Sequence, residues 1–178
     1  MIRKFLHAQI NKFGQAFRYD VTYMHDIADI SPGAAYTLSR LPHFYKYRGP
    51  KTGYPVWTGA LLASTLEGDC GPCAQLVIDM ALASGADAEA LQACAEGRPE
   101  DAGAMGLGYR FANAAIAGDL AADNLRREIE AEFGKKAALS CAFAAASGRI
   151  YPVLKRGIGH GQACTRLDFA GKQVKLAA

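Results

Sequence analysis

Two cysteines separated by two residues are the part of the sequence best suited to chemistry. They lie in the stretch Glu67-Gly68-Asp69-Cys70-Gly71-Pro72-Cys73, directly before an apolar segment from Ala74 to Ala83. Two thiols at this spacing can close a small disulfide loop or hold part of a metal site. The candidate chemistry is therefore disulfide exchange or metal binding.

The apolar segment predicts a helix that begins at the cysteines. One buried helix face is indicated by the spacing of Leu76, Val77, Met80 and Ala83. Pro72 suits a first-turn position, and Cys70 would lie at or near the N-terminus, where free N–H groups and the helix dipole favour a thiolate. Cys73 would lie one turn further in, so we expect Cys70 to be the more exposed thiol.

A zinc site is the weaker of the two alternatives. Structural zinc needs four ligands, usually from a second cysteine pair or from histidines at short spacing. The four histidines are isolated in the sequence, at positions 7, 25, 43 and 160. Cys70, Cys73, His160 and Cys164 could assemble only through the fold, and we predict no metal and no cofactor. Cys94 and Cys141 are expected to be small apolar fillers of helix faces.

Helical periodicity dominates the rest of the chain. An amphipathic helix is predicted over about 2–18, a helix over about 54–66 leads into the cysteines, and residues 43–53 read as a loop. A helix is expected from about 99 to 117, and only the tail shows a strand-like alternation, too short to define a sheet. We expect a single all-α domain over 1–178, with roughly seven to eight helices and a short irregular tail from about 165.

Composition excludes several classes of function. Hydrophobic residues make up 51% of the chain, charged residues 21%, and the net charge is +3, which gives no argument for a nucleic-acid partner. Polar residues interrupt the N-terminal segment, so it does not resemble a signal peptide. No stretch is expected to be long enough to cross a bilayer, and a cytoplasmic protein without an integral membrane segment is predicted.

Cys-Gly-Pro-Cys is also the sequence that thioredoxins carry. A thioredoxin fold places a β-strand directly before the cysteines, whereas here the preceding segment is predicted to be helical. The redox chemistry can be shared while the fold is not.

The run from Glu67 to Leu82 resembles the core motif of the alkylhydroperoxidase D and carboxymuconolactone decarboxylase superfamily. The resemblance spans roughly residues 20–168 and includes the segment from Arg149 to Cys164. It implies an all-α domain, a Cys-x-x-Cys carried by a helix, and assembly into a homo-oligomer (dimer, trimer or hexamer).

The sequence departs from that family in its proton relay. Peroxidase members carry a glutamate twelve residues before the first cysteine and a histidine four residues after the second. Those positions are Thr58 and Val77 here. Substitute proton carriers are Glu67, Asp69 and His160, although Glu67 and Asp69 could equally act as helix-capping charges.

These features predict a thiol-disulfide redox protein with Cys70, Cys73, Glu67, Asp69 and His160 as its site. It would be a Cys-x-x-Cys peroxide or disulfide reductase, with a peroxide or disulfide substrate and a protein or small-thiol reductant. The resemblance implies that the second cysteine, Cys73, attacks, whereas the helix position favours Cys70 as the more exposed thiol, so which cysteine attacks stays open. The alternative is a non-enzymatic helical oligomer or redox sensor that uses the same pair.

Overall fold

The structure, a computed structural model, describes residues 2–161 and 166–175. The predicted all-α fold class is confirmed. Within the described residues, eleven α-helices are followed by one small β-hairpin: α1 (Ile2–Phe17), α2 (Thr22–Ile30), α3 (Pro32–Arg40), α4 (Pro42–Tyr45), α5 (Tyr54–Glu67), α6 (Gly71–Ala83), α7 (Ala88–Ala95), α8 (Gly103–Ala117), α9 (Ala121–Phe133), α10 (Lys135–Ser147), α11 (Ile150–Gly157), β1 (Arg166–Phe169) and β2 (Lys172–Lys175).

The number of helices exceeds the seven or eight expected, partly because short elements fill predicted loops. Residues 43–53, expected to be a loop, include most of the single-turn helix α4 and a 3-10 turn over Lys51–Gly53. The helix expected from about 99 is instead a 3-10 turn over Pro99–Ala102 followed by α8. Gly103, with φ at 50°, lies at that junction and adopts a conformation that a non-glycine residue would resist.

The tail after the helices is a hairpin and not irregular. β1 and β2 pair antiparallel, with Leu167 opposite Val174 and Phe169 opposite Lys172. Leu167 and Phe169 are buried against α6 and α7, and this contact supplies the apolar face that a two-stranded hairpin needs. The expectation of an irregular tail was wrong. A few alternating apolar and polar residues form a strand only when their apolar side chains are covered, and here α6 and α7 cover them.

The centre of the domain is the contact between α5 and α8. A Cβ at Gly59 would lie 1.9 Å from the Met105 carbonyl oxygen, and one at Gly108 would lie 1.8 Å from that of Val56. The two backbones therefore approach closely only because both positions are glycine. This rigid pair, with α9 and α10 packed beside it, places the C-terminus of α5 where the cysteine turn begins.

α6 is covered on one side by the hairpin. The Gln75 side chain donates from Nε2 to the Asp168 carbonyl at 2.9 Å and accepts the Asp168 N–H at 2.7 Å. The Gln75 side chain thus makes the two backbone hydrogen bonds that a neighbouring strand would make with β1. Because Gln75 is two residues after Cys73, these bonds hold the hairpin against the start of α6.

The N-terminal helices form a smaller cluster on the other side of α6. Tyr19, Tyr23 and Leu38 are buried there and contact Leu76 and Leu154. α1 is the predicted amphipathic helix, but each of its side chains is exposed or half-buried. α1 covers this cluster only partly and leaves Ile2 and Phe5 facing solvent.

One helical stretch reaches the length required to cross a bilayer, contrary to the expectation that none would. Lys135–Gly157, which contains α10 and α11, spans 23 residues and is sufficiently apolar. Half of its most apolar window is buried inside the protein, as is common for core helices of soluble proteins. The absence of an integral membrane segment therefore stays a prediction.

Candidate functional site

A tight turn between α5 and α6 points the first cysteine inwards. Asp69 adopts a left-handed backbone conformation (φ 50°), and Gly68 lies so close to α11 that a Cβ there would be 2.4 Å from the Pro152 Cβ. Arg156 also donates to the Gly68 carbonyl oxygen at 2.6 Å. α11 therefore closes over the turn and covers Cys70.

Cys70 is the N-cap residue of α6 and Pro72 lies in the first turn, as predicted. The two sulfur atoms are 2.6 Å apart, and both residues are free thiols. Cys70 is 2% exposed and Cys73 is 5% exposed. The expectation that Cys70 would be the more exposed thiol was wrong, because the left-handed turn at Asp69 rotates it into the protein.

The pair has very unequal acidities. The hydrogen bond shared with the Cys73 thiol lowers the pKa of Cys70 to about 6, with help from the Cys73 backbone N–H and the charge of Lys155, against burial and Asp69. The same hydrogen bond and burial raise the pKa of Cys73. Two such close thiols share one negative charge, and the second proton is retained. The hydrogen bond therefore favours ionisation of one thiol of the pair while the other keeps its proton.

A buried lysine and a tyrosine lie behind the pair. Lys155 is 2% exposed, and its Nζ donates to the Tyr19 Oη at 3.5 Å. The Tyr19 Oη is in turn 3.5 Å from the Cys73 Sγ. Lys155 Nζ also lies 5.3 Å from the centre of the Tyr19 ring and 5.1 Å from that of Tyr23. A positive charge thus faces the thiols from inside the protein, held by two aromatic rings.

Cys73 lines a large apolar cleft between the N-terminal helices and the α5–α8 centre. Its volume is about 890 Å³, and its wall includes Phe13, Leu38, Trp57, Leu76 and Tyr151. Thr58 and Val77, which occupy the places of the family's glutamate and histidine, line the same cleft. A molecule bound in the cleft would therefore meet Cys73 before Cys70.

Two of the three predicted proton carriers, Glu67 and His160, do not contact the thiols. Glu67 is exposed, with its Oε2 3.3 Å from the Arg149 Nε. The His160 Nε2 is 2.8 Å from the Asp26 Oδ2, and its ring reaches the site only through the ring of Tyr23, 6.5 Å away. Asp69 adjoins Cys70 in the chain and opposes its ionisation. Their catalytic roles stay predictions.

Two other histidines, His7 and His25, link α1 and α2. The Nδ1 atoms of His7 and His25 are 2.5 Å apart, and the rings are stacked. Asp29 accepts from His7, and Asn11 binds the other nitrogen of His25. Among the described residues, no cluster of three or more histidine, cysteine or acidic side chains is placed to hold a metal. Cys164, the fourth ligand of the zinc alternative, lies outside the described residues.

Tyr19 and Lys155 were missed from the sequence. Lys155 stands beside Arg156 in the last turn of α11, where basic residues are usual because they face the negative end of the helix dipole. A signal was present in its spacing, since Lys155 follows the buried Pro152 by three residues and so shares its face. Tyr19, between two helices, carried no pattern at all.

Comparisons of the chain with protein-family models, with curated proteins and with solved structures gave no significant match. The chemistry of the site is therefore argued from the Cys70–Cys73 pair, its charge and the cleft beside it.

Proposed function

We propose that the protein is a thiol-disulfide redox protein whose working group is the Cys70–Cys73 pair, acting as a reductant of peroxides or disulfides. The observation that carries the proposal is the pair itself: two free thiols 2.6 Å apart at the start of a helix. The lowered pKa of Cys70, about 6, supports it, because the thiolate is the nucleophile in both reactions.

The chemistry requires two electrons from the pair. With a peroxide, a thiolate attacks one oxygen, the O–O bond breaks, and the leaving oxygen takes a proton as an alcohol or water. The sulfenic acid so formed is attacked by the other thiol, which yields a disulfide and one molecule of water. With a disulfide substrate, the same pair passes through a mixed disulfide. A protein or small-thiol reductant then returns two electrons and two protons.

The resemblance to the alkylhydroperoxidase D and carboxymuconolactone decarboxylase superfamily supports the proposal through the motif around the cysteines. The all-α fold agrees with that resemblance without identifying the family. A homo-oligomer and a cytoplasmic location belong to the same proposal. The exposed apolar residues Ile2 and Phe5 of α1 are compatible with a subunit contact.

A second candidate function is a redox sensor or a non-enzymatic helical oligomer. The observation that favours it is the burial of both thiols, 2% and 5% exposed, which restricts the access of a substrate. A sensor would be oxidised slowly and would change its assembly, whereas an enzyme would turn over.

The test is oxidation of the reduced protein by one equivalent of hydrogen peroxide, of an organic hydroperoxide or of oxidised glutathione, followed by mass spectrometry. We expect the loss of two hydrogens and a single disulfide between Cys70 and Cys73, reversed by dithiothreitol. Cys70→Ser and Cys73→Ser should abolish it, whereas the matched variants Cys94→Ala and Cys141→Ala should keep it. A loss of two hydrogens that persists in both Cys70→Ser and Cys73→Ser would refute the proposal. Oxidation without turnover would favour the sensor.

A further inference from the structure

The cysteine with the lowered pKa is not the one that lines the cleft. The hydrogen bond from Cys73 lowers the pKa of Cys70 and so favours the charge on Cys70, but Cys73 forms part of the cleft wall. If a substrate arrives through the cleft, the charge must be able to pass to Cys73. Something must then stabilise a thiolate on Cys73.

Tyr19 and Lys155 are arranged to do this. Lys155 Nζ donates to the Tyr19 Oη, so the Tyr19 hydroxyl proton is free to be donated to the Cys73 Sγ. Lys155 is buried, and among residues 2–161 and 166–175 no carboxylate lies within ion-pair distance of it. A buried cation without an anionic partner is costly, and a thiolate nearby would neutralise it.

We propose that Tyr19 is a catalytic residue, whose hydroxyl donates a hydrogen bond to the Cys73 thiolate, and that Lys155 is a positioning residue that holds this hydroxyl and places a positive charge behind it. The inference rests on the proposed function. With this support Cys73 takes the attacking role, as the family resemblance implies for the second cysteine, and Cys70 takes the resolving role.

The steps balance in protons and electrons. The Cys73 proton moves to Cys70 across the 2.6 Å that separates their sulfurs. The Cys73 thiolate then forms a bond to one sulfur of a substrate disulfide, and the other sulfur leaves as a thiolate that is protonated by water. Cys70 gives its proton to water and attacks the Cys73 sulfur, which releases the second substrate thiolate and leaves the protein disulfide.

Several titratable groups face this arrangement and would share in its pH dependence. The groups that interact with Tyr19, Cys70 or Cys73 from the surrounding elements are Tyr23, Tyr151, Asp69 and Lys155, and Tyr45 interacts in turn with Tyr23 and Tyr151. Asp20 and His160 lie further out, near Lys155 and Tyr23. Burial raises the pKa of Tyr19 far above neutrality, so Tyr19 acts as a donor and not as a base.

The test uses 5,5′-dithiobis(2-nitrobenzoic acid), an aromatic disulfide that releases a coloured thiolate when the first cysteine attacks and again when the second resolves. We expect Tyr19→Phe and Lys155→Met each to slow the first release about tenfold at pH 7 and to move its pH midpoint upwards. Lys155→Arg, which keeps the charge, should restore the rate to within about threefold. Release of the second equivalent should change little.

Tyr109→Phe is the matched control, because it removes the hydroxyl of a half-buried tyrosine on α8 that interacts with Asn113 and Cys94 and not with Tyr19 or the Cys70–Cys73 pair. Its rate should match the unmodified protein within about twofold. Circular dichroism establishes that each variant is folded. Unchanged rates and midpoints in Tyr19→Phe and Lys155→Met would overturn the inference, and so would equal slowing in Tyr109→Phe. In either case the reversible disulfide of the unmodified protein would still support the proposed function. If the unmodified protein itself forms no reversible disulfide, the proposed function fails first.

Discussion

The Cys70–Cys73 pair and the two isolated cysteines, Cys94 and Cys141, are all buried but differ in acidity. Cys94 in α7 and Cys141 in α10 are fully buried among apolar side chains, and burial raises the pKa of each to about 12. Cys70 is almost as well buried, yet its pKa falls to about 6. Burial is therefore common to both regions, and the difference comes from the neighbours: a second thiol, a helix N-terminus and a buried lysine.

The comparison explains how a thiol that is hardly exposed can still be a nucleophile. Desolvation alone disfavours a thiolate, as it does at Cys94 and Cys141. At the start of α6 the polar groups that replace water are built into the fold, so the charged form persists without solvent. This is the arrangement expected of a reactive cysteine, whereas the other two resemble structural ones.

The largest expected difference is in alkylation of the native, reduced protein by iodoacetamide at pH 7. The Cys70–Cys73 pair should react about a hundredfold faster than Cys94 or Cys141, because the larger thiolate fraction outweighs the lower intrinsic nucleophilicity. Peptide mapping by mass spectrometry over time measures it, with protein unfolded in urea as the control in which all sites react. Equal protection of all four thiols in the native state would remove the distinction between the two regions.

Removal of the second thiol should make Cys70 more like an ordinary cysteine. In Cys73→Ala, the hydrogen bond that contributes most to the lowered pKa is lost, so the pH midpoint of Cys70 alkylation should rise by about two units. Cys141→Ala, which removes a thiol of the other kind, should leave that midpoint in place. A midpoint that stays near 6 in Cys73→Ala would mean that the helix and Lys155 suffice.

Cys70 should affect the free energy of unfolding in the opposite direction with pH to Cys94 and Cys141. The pKa of Cys70 is lowered on folding, so its contribution is present above the unfolded pKa and is lost as pH falls through about 6. The raised pKa values of Cys94 and Cys141 give contributions that are present below the unfolded pKa and lost as pH rises through about 12. Between pH 5 and 8, urea denaturation of the reduced protein should show a gain of about 2 kcal/mol. Cys70→Ser should lack this gain, and an identical gain in that variant would contradict the assignment.

The smallest effect is expected from Glu67, which was predicted from the sequence as a substitute base. Because it is exposed and pairs with Arg149, Glu67→Gln should change the alkylation rate of Cys70 by less than about twofold. Glu132→Gln on the exposed face of α9 is the matched control. A fall of tenfold or more in Glu67→Gln alone would restore Glu67 to the proton relay.

Local signals in the sequence predicted the scaffold of the site well. Pro72 and the apolar spacing after it placed the start of α6 correctly, with Cys70 at its N-cap. The orientation of Cys70 could not be predicted, because it depends on the left-handed turn at Asp69 and on the contact between Gly68 and Pro152, eighty-four positions apart in the chain. Such contacts have no periodic signature.

The partners of the thiols were hidden for the same reason. Tyr19 and Lys155 come from opposite ends of the chain and meet only when α11 and the N-terminal helices pack around α6. The hairpin depended likewise on a distant group, the side chain of Gln75. The sequence thus identified the reactive pair, while the groups that control it became visible only in the fold.

The most direct test of the central claim is the midpoint potential of the Cys70–Cys73 couple, measured by thiol titration in glutathione and dithiothreitol buffers. We expect one reversible two-electron transition at about −200 to −300 mV, unchanged in Cys94→Ala and Cys141→Ala and absent in Cys70→Ser and Cys73→Ser. If no native-state transition occurs, or if it persists without either cysteine of the pair, the start of α6 is a buried helix junction and not a redox site.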